Sequence, residues 1–97
     1  MRFLPLFEED LFGIVTYIAE HLKNPAAANK LIDNVESAIM KRSSYAESFE
    51  PYHSAKERKY SYYRIYVGSY VVYYVVIDDV MEVRRILHNK RNIKDKL

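Results

Sequence analysis

The sequence predicts an α+β fold: an N-terminal helix hairpin packed on one face of a small antiparallel sheet, followed by a short basic C-terminal tail. Apolar residues recur at three- and four-residue spacing through the first half of the chain, whereas the second half is rich in Tyr, Val and Ile, which suit the pleated surface of strands. Two stretches rich in Tyr, Val and Ile are separated only by Gly68-Ser69, a two-residue hairpin connection. A run of helices followed by a run of strands places the helices together on one face of the sheet.

Met1–Pro5 is short and apolar; Phe3 and Leu4 suit the end of an edge strand, and Pro5 stops it. From there the period changes. Phe7, Leu11, Ile14, Val15, Ile18 and Leu22 form one face of an amphipathic helix, with Glu8, Glu9 and Asp10 in its first turn against the positive end of the helix dipole. Asn24-Pro25 closes this helix and opens the next, Asn24 as N-cap and Pro25 at the first helical position, where its missing N–H costs nothing. Ala28, Leu31, Ile32, Val35, Ala38 and Ile39 line one face of the second helix, which ends near Lys41-Arg42, cations suited to a C-terminus. Helices joined this tightly form an antiparallel hairpin. Ser43 to Ala55 has no period and contains Pro51, so it is either a functional loop or a segment crossing from helix layer to sheet edge.

Three consecutive strands follow, over Tyr60–Val67, Tyr70–Asp78 and Val80–His88. Gly68 supplies the positive φ that a type II′ turn needs at its first central position, and Asp78-Asp79 marks a second turn. The last strand contains a conflict. Strict alternation from Val83 puts Arg85 and Leu87 on its face and Arg84, Ile86 and His88 on the other; a bulge near Arg84-Arg85 instead points both Val83 and Ile86 to the core. Asn89–Leu97 is a basic tail, either a turn or two of helix or a segment that a partner orders.

The 97 residues make one domain, 1–97, with no second core. No cysteine means no disulfide framework and no thiolate metal site, which fits a reducing cytoplasm. The longest apolar run, Tyr70–Ile77, is far short of a membrane span, and the N-terminus lacks a signal pattern. A soluble, cytoplasmic protein without membrane contact is expected. The charge is divided: residues 1–53 carry five Lys/Arg against eight Asp/Glu, whereas residues 54–97 carry ten against five. That basic second half suits a polyanion or an acidic protein partner.

Two glycines exclude a Gly-rich phosphate loop, and neither a metalloprotease motif nor a nucleophile elbow is present. His21, His53 and His88 lie on different elements, so no metal site is expected, nor any small-molecule cofactor. Tyr62, Arg64 and Tyr66 share one face of their strand, where an arginine among rings either anchors a phosphate or pairs with a carboxylate beneath an aromatic cover. His88 ends its strand beside Asn89-Lys90-Arg91, either as a general acid or base or as a partner for a backbone group.

The order of elements and the run YYRIYVGSYVVYYVVIDD…MEVRRILHNKR resemble the RelE/ParE superfamily of toxins from bacterial type II toxin–antitoxin, or plasmid stabilisation, systems. The resemblance spans nearly the whole chain; the first strand is shorter than in the family. It implies a growth inhibitor silenced by a cognate antitoxin protein. RelE-like members cut ribosome-bound mRNA, whereas ParE-like members poison DNA gyrase. If this chain is a nuclease, Arg64, His88 and Arg91 are its catalytic candidates. In either mode Lys59, Tyr62, Arg64, Tyr66, Arg84, Arg85, Lys90, Arg91 and Lys94 are candidates for binding the target. Two positions depart from the RelE-like pattern: Val71 stands where those enzymes carry an arginine, and Leu97 near their late tyrosine. Each lost transition-state contact costs on the order of 2.7–4 kcal/mol. The expectation is therefore a toxin of ParE-like, non-nuclease mode, with an mRNA endoribonuclease of RelE type as the alternative and a non-toxic interaction module as the third reading.

Overall fold

The computed structural model describes residues 1–49, 51 and 60–90. The elements run β1 (Arg2–Phe3), α1 (Pro5–Thr16) continued by a π-helical turn (Tyr17–His21), α2 (Pro25–Ser43), β2 (Tyr63–Val67), β3 (Tyr70–Ile77) and β4 (Val80–His88). The sheet has the order β1-β4-β3-β2; β2, β3 and β4 form the expected antiparallel meander, and β1 adds itself parallel to β4. Among the described residues no helix is long and apolar enough to cross a membrane.

Local chemistry sets the element ends. Pro5 ends β1 and also starts α1, two residues before the expected start at Phe7, because its fixed φ and missing N–H suit a first helical turn. The expected helix continues past Thr16 as a π turn, after which Lys23 takes a positive φ of 51° and redirects the chain. Asn24 caps α2 as its sequence suggests: Ala27 N–H donates to its side-chain oxygen at 3.1 Å. In the second half, Gly68 has φ +57° and Ser69 does not, the type II′ pattern, while Asp78 and Asp79 are both left-handed at 51° and 64°, as a type I′ turn requires. Strand β2 is shorter than expected: its ladder begins where Tyr63 meets Tyr74, and Tyr62 holds only an isolated bridge.

The conflict in β4 is resolved by a bulge. Tyr73 pairs with Arg85 but Tyr74 pairs with Val83, which leaves Arg84 as the extra residue. Val83 and Ile86 are consequently both fully buried in the core between sheet and helices, with Phe7, Val35, Ile39, Ile65, Val72 and Tyr74. On the opposite face Tyr62, Val71, Tyr73, Val75 and Leu87 form a second buried cluster. A sheet apolar on both faces explains why β3 reads as a continuous run of Val and Tyr rather than as an alternation.

Removing the cap by Asn24→Ala should destabilise the protein by about 1 kcal/mol, and Asn24→Asp should retain most of the stability. Urea unfolding midpoints of the three proteins test this. Equal midpoints would show that the cap contributes nothing.

Candidate functional site

The basic residues of β4 are engaged within the molecule. Because β1 pairs only with Glu82 and Val83, the edge of β4 beyond them faces α1. Asp10, in the second turn of α1, meets that edge: Arg85 donates through Nε to Oδ2 at 2.7 Å and through Nη2 to Oδ1 at 2.8 Å, and Ile86 N–H donates to Oδ2 at 3.2 Å. Both side chains are largely buried, at 15% and 14% exposure, so this is a bidentate pair in a low-dielectric setting. Asp10 thereby serves as the partner that a neighbouring strand would otherwise supply.

The bulged Arg84 turns to the other face of the sheet. Its Nε donates to Glu82 Oε2 at 2.8 Å and its Nη1 to the Tyr62 hydroxyl at 3.2 Å, while Arg2 Nη1 donates to Glu82 Oε1 at 3.1 Å. Glu82 is buried, which would raise its carboxyl pKa, but the hydrogen bonds from Arg84 and Arg2 outweigh burial and hold it below the usual carboxylate range. On β2, two strands from β4, the Arg64 guanidinium lies 5.8 Å from the centre of the exposed Tyr66 ring. The Arg64 carbonyl accepts from Arg42 at 3.0 Å, and Arg42 also donates to the Tyr74 hydroxyl at 3.1 Å and packs 3.5 Å from the Phe49 ring centre. That buried hydroxyl donates onward to Ala46 C=O at 2.6 Å, pinning the segment after α2 to the sheet.

Two concavities flank the helices. A cleft of about 500 Å³ lies between α1, contributing Glu9, Asp10, Gly13 and Tyr17, and the strand ends, contributing Tyr70, Ile86 and His88. His88 meets Tyr70 edge to face at 5.5 Å, and its Nδ1 accepts from Lys90 N–H at 3.2 Å, so the imidazole does bond a backbone group at the strand's end. The second concavity, an apolar groove of about 350 Å³, runs between the helices and β1, lined by Phe3, Phe7, Leu11, Val35, Ile39 and Met40.

The residues singled out from the sequence thus fall into three places. Tyr62 and Arg84 meet on the outer face of the sheet, with Arg64 and Tyr66 on β2, the strand that continues from Tyr62; Arg85 is turned toward α1; His88 and Lys90 stand at the end of β4. Lys59, Arg91 and Lys94 lie outside the described residues, as do His53 and Leu97. Sequence reasoning missed Glu82, Arg2, Arg42 and the role of Asp10. Glu82 had a readable signal, a carboxylate two positions before Arg84 inside an apolar strand, whereas nothing local marks Arg2 or Asp10 as partners of β4.

The model of the ParE toxin of type II toxin–antitoxin systems, parDE, matches residues 1–93. The chain is similar in structure to a chain of the RelB–RelE antitoxin–toxin complex from Methanococcus jannaschii, with 24% identity and a TM-score of 0.53 over 100% of this chain and 99% of that one. No curated protein matches it in sequence.

Two outcomes follow from the ion pairs. Asp10→Ala strands a largely buried guanidinium and a strand amide, and should cost about 2–4 kcal/mol in urea unfolding at pH 7. For Glu82, whose folded pKa is lowered, the stabilisation is fully present above the pKa of a free glutamate, about 4.3, and is lost as pH falls through the folded value. Glu82→Gln should therefore be less stable at pH 7 yet lose less stability than the unaltered protein between pH 7 and pH 3. Parallel losses in the two proteins would show that the carboxylate carries no acid sensitivity.

Proposed function

Since the chain belongs to the ParE toxin family of type II toxin–antitoxin systems, we propose that it arrests growth by poisoning DNA gyrase rather than by cutting mRNA, and that a cognate antitoxin protein silences it. The observation that carries this reading is Val71. At the position where RelE-like enzymes place an arginine, this side chain is 3% exposed and packs with Tyr62, Tyr73, Val75 and Leu87. The place of a phosphate-binding cation is filled by core.

Three of the other candidate residues support the same reading. RNA cleavage needs a base for the 2′-OH, cations for the phosphorane and an acid for the leaving oxygen. Arg84 and Arg85 are committed to Glu82 and Asp10, and the Nδ1 of His88 is occupied by Lys90 N–H. The antitoxin has a surface to cover. Phe12 is 74% exposed, Leu6 and Met40 are also exposed, and the apolar groove opens between the same helices. Such patches suit the apolar face of an amphipathic segment, while acidic residues of that partner would face the basic second half of the chain.

Induced expression in the native host should halt growth, with an SOS response and trapped gyrase–DNA complexes, and co-expression with the protein encoded beside it should restore growth. Translating ribosomes incubated with the purified chain should show no A-site cuts. Cuts that vanish with Arg91→Ala would reverse the assignment in favour of an mRNA endoribonuclease, and unimpaired growth would leave only an interaction module.

A further inference from the structure

Building on the reading that a protein partner silences this chain, we propose that the cleft between α1 and the end of β4 is a receptor for a basic side chain, an arginine or lysine that the partner presents. Gly13 is the first observation. It sits inside α1, where glycine weakens a helix relative to alanine. Neither usual justification applies, since its φ is not left-handed and a Cβ built on it meets nothing within 4 Å. Glu9, Gly13 and Tyr17 follow one another at four-residue spacing on the helix face that lines the cleft. A side chain at position 13 would therefore stand in the cleft, and its absence keeps the floor open.

The second observation is the π-helical turn that begins at Tyr17. Such turns interrupt the regular helical spacing and recur at functional sites; here the Tyr17 ring stacks on His21 at 5.4 Å and remains half exposed at the cleft.

The lining states what the cleft accepts. The charge of Asp10 is matched by Arg85, and Glu9 in the same wall adds a second carboxylate whose field Arg85 also feels. Tyr17, Tyr70 and His88 add aromatic surface, and Ile86 adds an apolar one. A carboxylate beside ring faces and an aliphatic wall matches a long cationic side chain, its head on Glu9 and the rings and its methylene stem along Ile86. An acidic side chain would meet two carboxylates, Glu9 and Asp10, against the guanidinium of Arg85, so this end of the molecule recognises the opposite charge from the basic face of the sheet.

The test uses the full chain and two probes, blocked arginine amide followed by NMR and the adjacently encoded antitoxin followed by calorimetry. Arginine amide should shift the amides of Glu9, Gly13, Tyr17 and His88, and blocked norleucine amide should not. Glu9→Gln and Gly13→Leu should each weaken the antitoxin by about tenfold or more, while Gly13→Leu, entering open space on a helix, leaves the thermal midpoint unchanged or higher. Antitoxin affinity unchanged in both variants, or equal shifts with arginine and norleucine amides, would overturn the inference and leave the toxin reading intact. Arginine-specific shifts lost in both variants would support the cleft even if the antitoxin failed to bind and the toxin reading fell.

Discussion

The tie between Asp10 and β4 is the constraint on which the rest of the structure depends. A sheet whose first strand is two residues long leaves its next strand with an unpaired edge, and unpaired strand edges invite association with other chains. Here a helix closes that edge. One carboxylate neutralises Arg85, satisfies the amide of Ile86 and fixes α1 against the sheet. The position of α1 then sets the apolar groove on one side of the helix and the polar cleft on the other.

The bulge at Arg84 divides the chemistry of β4 between two environments. Without it, two adjacent arginines would have to alternate through a strand with a dry core on one side. With the extra residue, Val83 and Ile86 both reach the core, Arg84 joins Glu82 and Tyr62 on the outer face, and Arg85 reaches back to the helix. Two arginines that look, in the sequence, like part of an open basic surface are thus consumed by the fold. Arg64 stands apart from both, on β2, with its guanidinium near the exposed ring of Tyr66.

Local signals in the sequence were legible and long-range ones were not. The Asn24-Pro25 cap, the Gly68-Ser69 hairpin, the Asp78-Asp79 turn and the choice between alternation and bulge in β4 all depend on residues within a few positions of one another. The parallel pairing of β1, the Asp10–Arg85 pair and the Arg2–Glu82 pair join positions 75 to 80 residues apart, and no spacing rule links them. The π turn was hidden for another reason, since Leu22 continues the helical period of α1 in sequence although it is exposed in the fold. At the candidate site the residue types were visible but their commitments were not, because an arginine's availability depends on which carboxylate the topology brings to it.

The joining of β4 to β1 and α1 has a consequence for the order of folding. The helix hairpin precedes the strands in the chain, and the strand that neutralises Arg2, clasps Asp10 and supplies Val83 and Ile86 follows both β2 and β3. Long-range closure of this kind is slow compared with helix formation. Until β4 joins, the apolar face of the helix hairpin lacks the Val83 and Ile86 side chains that cover it. The domain closes only when β4 joins β1 and takes the Asp10 carboxylate of α1.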